Sequence, residues 1–167
     1  MTQNNLGIVL GNQGTRTTGE AGTRLLAEAV AAYRDALTVY TKEQLPQQWA
    51  ITQNNLGIVL RRQGIRTGGE AGTRLLAEAV AACRDALTVY TKAQLPQDWA
   101  TTQNNLGNVL GEQGTRTGGE AGKALISQAI NAYELALQIR TRDALPVQWE
   151  ETMENLAIVK KALEDMK

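Results

Sequence analysis

Two hydrophobic patterns alternate along this chain, and both have helical spacing. In the first, Leu6, Val9, Leu10 and Gln13 recur three or four positions apart, an amphipathic helix (helix A) expected to stop at Gly14. Thr15 to Gly22 reads as a turn, and Thr17 with Glu20 three positions on matches the capping box that opens a helix. In the second pattern Leu25, Leu26, Ala29, Val30, Tyr33, Ala36, Leu37 and Tyr40 mark one face of a longer helix B. It is rich in strong helix formers and expected to run to about Lys42. Leu45-Pro46 is the next boundary, because a residue before proline is pushed out of the helical region while proline suits a first helical turn. From Gln47 the chain enters another helix A, with Trp49 near its start.

The pattern then repeats. Thr52-Gln53-Asn54-Asn55-Leu56-Gly57-Ile58-Val59-Leu60 restates Thr2 to Leu10, recurs at Thr102 to Leu110, and returns in decayed form from Thr152 to Val159, fifty residues apart each time. A fixed period in this range is the signature of a stacked array in which neighbouring units complete one another's core. The chain therefore reads as a single repeat domain over 1–167, with units 1–50, 51–100 and 101–150 and a capping helix at 151–167. The charged outer positions of that last helix, Lys160, Lys161, Glu164, Asp165 and Lys167, suit a cap. The first helix A lacks the Leu-Pro-x-x-Trp lead-in of its siblings. This suggests a piece of a longer array and leaves an uncapped N-terminal helix through which a homo-oligomer could form.

Asn55-Leu56-Gly57, Leu60, Gly64, Glu78-Ala79-Val80, Cys83 (Tyr33 and Tyr133 in the sister units), Ala86-Leu87 and Pro96 come in the order of the tetratricopeptide repeat, which this sequence resembles. The Asn-Asn-Leu wording and the long unit are most similar to the repeats of kinesin light chain and its bacterial relatives. The unit is sixteen residues longer than the family's usual ~34, and its tryptophans, Trp49, Trp99 and Trp149, stand earlier than the family's. The resemblance implies an all-α fold: a right-handed α-solenoid of antiparallel helix pairs, with three extended units plus a C-terminal capping helix, about seven helices. It also implies that the A helices line a concave wall.

At about 100° per residue, Leu56, Gly57 and Leu60 share a side with Gln53 and must pack on helix B, while Ile51, Asn54, Ile58, Arg61 and Arg62 lie opposite. On a concave wall of A helices this gives a row of Asn4, Asn54 and Asn104. Beside it run Ile8, Ile58, Asn108 and Ile158, with Asn5, Asn55, Asn105 and Asn155 at the margin. Asn offers donor and acceptor to an extended backbone, and isoleucine takes apolar side chains, so the wall suits a peptide. The same asparagines also suit a ladder between successive A helices, Asn55 more than Asn54. Arg61 and Arg62 occur only in the middle unit and fit either drift on a solvated face or an acidic ligand. The Arg16, Arg66 and Arg116 series is expected to pair with Glu20, Glu70 and Glu120 rather than hold phosphate, since no strand precedes the turn and no Lys-Ser or Lys-Thr follows it. The tryptophans read as core wedges, and Cys83, in a tyrosine's slot, as an inert buried thiol.

Composition narrows the functional classes. Seventeen Lys plus Arg balance seventeen Asp plus Glu without clustering, which lacks the footprint of a nucleic-acid or anionic-membrane binder. The chain has no His and one Cys, so the usual proton shuttle, metal site and internal disulfide are missing. No enzyme, cofactor or metal is expected, and no apolar run approaches a membrane span. The expected protein is a cytoplasmic scaffold that binds an extended peptide of a protein partner. The alternative is a structural spacer or self-association module without a peptide ligand. RNA reading by helical repeats would need basic rows that are absent here.

Overall fold

The computed structural model describes residues 2–166. They form seven helices, α1 (Gln3–Arg16), α2 (Gly19–Leu37), α3 (Pro46–Thr67), α4 (Gly69–Leu87), α5 (Pro96–Thr117), α6 (Gly119–Leu137) and α7 (Pro146–Asp165). The fold is all-α, with helices packed sequentially in antiparallel pairs inside units bounded by Pro and Gly. It divides into two compact units, Met1–Val89 holding α1 to α4 and Tyr90–Lys167 holding α5 to α7.

The helix starts follow from proline. Leu45, Leu95 and Leu145 are non-helical, and Pro46, Pro96 and Pro146 occupy the first helical position, where a missing N–H costs nothing. The ends differ from the sequence reading in three places. Gly14, Gly64 and Gly114 do not stop the A helices: each is buried inside its helix, and the stop comes three or four residues later. At Gly68 and Gly118, φ values of 67° and 65° supply a conformation that a side chain disfavours, and these residues both end one helix and open the next. The capping box does not form, since Thr18 is the N-cap of α2 and the Thr17 hydroxyl donates back to the Gln13 carbonyl at 2.9 Å. Helix B stops at Leu37 and Leu87 rather than near Lys42. There the Thr38 and Thr88 hydroxyls donate to the carbonyls of Asp35 and Asp85 (2.7 and 2.6 Å), tightening the last turn beside β-branched neighbours.

The core is built from small and branched residues on the B helices. Leu26, Ala29, Tyr33 and Ala36 in α2 are buried, as are Leu76, Ala79, Cys83 and Ala86 in α4 and Ile126, Ala129, Tyr133 and Ala136 in α6. The A helices reply with Leu56, Val59 and Leu60 in α3 and Leu156 and Val159 in α7. A fully buried Leu such as Leu26 contributes roughly 1.5–3 kcal/mol. Close approach depends on glycine: a Cβ at Gly7 would lie 2.7 Å from the Tyr33 ring, at Gly57 2.8 Å from Cys83 Sγ, and at Gly107 2.7 Å from the Tyr133 ring. Leu56 and Gly57 thus face helix B, as the hydrophobic pattern requires.

Trp49, Trp99 and Trp149 are half-exposed and are not core wedges. Lys42 Nζ, Lys92 Nζ and the Arg142 guanidinium stand 5.7, 6.0 and 5.7 Å from their ring centroids, so each tryptophan latches the preceding loop to the start of a helix A. The expected pairing of Arg16, Arg66 and Arg116 with Glu20, Glu70 and Glu120 does not appear. Arg66 instead donates to the carbonyls of Gly14, Thr15 and Thr17 at 2.7 to 3.0 Å, closing the C-terminal end of α1 where helix carbonyls lack partners. Glu70 pairs with Arg74, Glu120 with Lys123 and Arg116 with Glu112.

Candidate functional site

Each unit contains a cleft between two successive A helices, with a tyrosine from the intervening helix B at its floor. In unit 1 it lies between α1 and α3, holds about 170 Å³ and is lined by Ile8, Gly11, Asn12, Tyr33, Asn55, Ile58, Val59 and Arg62. In unit 2 it lies between α5 and α7, holds about 160 Å³ and is lined by Asn108, Gly111, Glu112, Thr115, Tyr133, Asn155, Ile158, Val159 and Ala162. Apart from Thr115, which lines only the second, the two linings correspond position by position at an offset of one hundred residues. The packing that makes them also repeats: Val59 packs against Gly11 and Val159 against Gly111, and a Cβ at either glycine would come within 3.0 Å of the valine. Glycine on one A helix lets the next approach, and the cleft is the space left beside that contact.

The linings differ in polarity. Tyr33 is 2% exposed, and its hydroxyl has no hydrogen-bond partner among the described residues. Burial pushes its pKa up to about 12 against a smaller opposing pull from Arg62, so it stands in the cleft as a neutral donor. Arg62 is half-buried and donates from Nη1 to the Thr15 hydroxyl at 2.7 Å, and that hydroxyl donates on to the Gly11 carbonyl at 2.7 Å. Burial and then the neighbouring Arg61 and Arg66 depress the Arg62 pKa, and no carboxylate among the described residues pairs with it. In unit 2, by contrast, the Tyr133 hydroxyl donates to Asn108 Oδ1 at 2.8 Å, and Glu112 is neutralised by Arg116 Nε at 2.8 Å.

The ten residues singled out from the sequence separate accordingly. Ile8, Asn55, Ile58 and Arg62 meet in the first cleft, and Asn108 lines the second together with Asn155 and Ile158. Asn54, Asn105 and Arg61 are half-buried and line neither. Asn4 and Asn104 serve the ladder instead. The Thr52 hydroxyl bonds the Gln48 carbonyl (2.7 Å) and the Asn4 side-chain oxygen (3.1 Å), and Thr152 does the same with Gln148 (2.8 Å) and Asn104 (3.1 Å). Asn104 is 2% exposed and has no surface left for a ligand. The ladder therefore runs through the first asparagine of the pair and not, as the sequence suggested, through the second. The geometry explains this: the first points along the A-helix stack at the threonine one repeat on, and the second opens into the cleft.

Tyr33 and Tyr133 were read from sequence only as aromatic packing positions. The missing signal is the pairing of a helix-B tyrosine with a glycine-lined groove on its neighbours, which no spacing within one helix discloses. Cys83, the equivalent residue in α4, is fully buried, and burial pushes its pKa up to about 12, as expected of an inert thiol. Among the described residues no group of His, Cys, Asp and Glu could hold a metal ion, and no helix is long and apolar enough to cross a membrane. The chain matches no family model, no curated protein and no solved structure.

Proposed function

We propose that this chain is an extended tetratricopeptide-type array, a right-handed α-solenoid whose A helices line a groove for an extended peptide segment of a protein partner. The observation that carries the reading is the recurrence, in each unit, of a tyrosine-floored cleft flanked by Ile58 or Ile158 and by Asn55 or Asn155. A row of amide groups offers hydrogen bonds to a peptide backbone, and the clefts beside it accept alternate side chains. No chemistry is assigned to the groove; its role is adhesion, in a scaffold of the cytoplasm.

The test is selection of a displayed random twelve-residue peptide library on the intact chain. Enriched peptides should lose binding when Ile58→Ser and Ile158→Ser are combined, with helicity unchanged. Enrichment that ignores both substitutions would place binding elsewhere and overturn the groove. Asn54→Ala and Asn104→Ala make a poor probe, because Asn104 is a ladder residue.

A second reading, a self-associating spacer, draws on one contrast. Val9 is 52% exposed on α1, whereas its equivalents Val59 and Val159 are buried at 3% and 7%. Light scattering across a hundredfold dilution separates the readings: a rod that stacks on itself changes size, and a monomeric peptide binder does not.

A further inference from the structure

We propose that the cleft between α1 and α3 is a pocket for the side-chain carboxylate of an acidic residue in the bound peptide, held by the Tyr33 hydroxyl and the Arg62 guanidinium between the flanks of Ile8 and Ile58. This rests on the peptide-groove reading and says which residue the groove selects and where. Three observations meet there. The Tyr33 ring is buried, and its hydroxyl is a donor without a partner among the described residues. Its oxygen reaches the open cleft, where it can donate to a group that enters. Arg62 lines the same cleft and is anchored by one nitrogen to Thr15, so its direction is set while its other N–H groups stay available. It carries positive charge that no carboxylate among the described residues offsets, with Arg61 and Arg66 adding to the local field.

The shape agrees with that chemistry. About 170 Å³ is several times the ~30 Å³ share of one liquid water, room for a single carboxylate-bearing side chain. Ile8 and Ile58 would cover its methylenes, and a Tyr hydroxyl with an Arg fork gives the carboxylate two charge-assisted bonds. Unit 2 supplies the internal contrast. At the corresponding positions Asn108 takes up the tyrosine hydroxyl, Glu112 brings a carboxylate of its own, and Ala162 stands where Arg62 does. The second cleft therefore lacks both the open tyrosine hydroxyl and the guanidinium of the first, so an acidic residue is read in unit 1 only.

The experiment uses the displayed twelve-residue library on the full chain, with the pools from wild type, Arg62→Gln, Arg62→Lys, Arg62→Glu and Tyr33→Phe sequenced side by side. Wild type should enrich Glu or Asp at one fixed position relative to an apolar anchor. Arg62→Gln should weaken the acidic peptides about tenfold or more, the usual loss for a hydrogen bond to a charged group. Tyr33→Phe should weaken them several-fold, Arg62→Lys should retain part of the preference, and Arg62→Glu should replace the acidic residue by Lys or Arg. Peptides that depend on Ile58 and Ile158 but show no acidic position, or keep it in Arg62→Gln, would overturn this assignment and leave the groove standing. Failure of every pool to enrich any peptide would overturn both.

Discussion

At the floor of the first cleft the Tyr33 hydroxyl has no partner among the described residues, while one hundred residues later the Tyr133 hydroxyl donates to Asn108 at 2.8 Å. The backbone frame is the same in both units, with the same glycine-valine contact and the same tyrosine over Gly7 or Gly107. What differs is the outermost layer: Ile8, Asn12 and Arg62 in one, Asn108, Glu112 and Ala162 in the other. A duplicated frame fixes where a cleft will be, and a handful of later substitutions decide whether it is satisfied from within or left to be completed by something else. The most direct tests break the frame, then the floor, then the charge.

The largest effect is expected where the frame is tightest. A Cβ at Gly114 would meet Ile126 Cγ1 at 2.7 Å, the Gly122 carbonyl oxygen at 2.9 Å and Ile126 N at 3.1 Å; at Gly14 the matching contacts, led by Leu26 Cγ, are 3.0 to 3.1 Å. At Gly114 two contacts fall below 3.0 Å, so something must shift, whereas at Gly14 all three lie at 3.0 to 3.1 Å and the neighbours have only to give by a few tenths of an ångström. Overpacking costs about 1–3 kcal/mol, against up to about 1 kcal/mol gained by replacing a helical glycine with alanine. Gly114→Ala should therefore destabilise unit 2 by about 2 kcal/mol and Gly14→Ala unit 1 by under about 1 kcal/mol, read as shifts in urea midpoint. Equal shifts would mean the two frames are not distinguished by their neighbours.

The sequence disclosed the frame and left the lining illegible, for a physical reason. Periodicity places Leu56, Gly57 and Leu60 on the packing side because a helix repeats its faces, and Leu-Pro marks every A-helix start because proline excludes helical geometry before it. The hydroxyl-bearing residues obey no such rule. Thr17 donates to a carbonyl one turn back instead of capping α2, and Thr38 does the same at the end of that helix, since a hydroxyl takes whichever backbone partner is nearest. The sequence offers Arg66 a glutamate, yet in the fold it closes three carbonyls of α1, because helix-end carbonyls lack partners and exposed carboxylates are solvated. Asn4 and Asn55 read as members of one motif, yet one belongs to the ladder and the other to the cleft. Only the neighbouring helix tells them apart.

At the floor, the two tyrosines should respond differently to loss of their hydroxyls. Tyr133→Phe removes a bond to Asn108 and leaves the Asn108 oxygen short of a donor, a cost of about 1 kcal/mol. Tyr33→Phe removes a hydroxyl with no partner among the described residues and should be neutral or slightly stabilising. Thermal melts of both variants check this, and a destabilised Tyr33→Phe would show that its hydroxyl is satisfied within the protein.

The smallest effect is electrostatic and appears only in alkali. Tyr33 in unit 1 and Tyr90 in unit 2 both have pKa values pushed from 10.0 up to about 12, chiefly by burial. The second influence has opposite sign: Arg62 pulls Tyr33 down, and Asp98 pushes Tyr90 further up. A tyrosine whose folded pKa exceeds its unfolded one contributes stability that is whole below pH 10, and this declines as the unfolded chain ionises and is lost by the time pH passes 12. Both units should weaken over that window, with tyrosinate absorbance lagging behind that of free tyrosine. Arg62→Gln removes the one favourable charge near Tyr33, so it should delay ionisation of Tyr33 still further and leave Tyr90 unmoved, read by comparing the titration with Tyr33→Phe and Tyr90→Phe controls. A titration of Tyr33 that does not notice Arg62 would mean the guanidinium and the hydroxyl do not share a cleft.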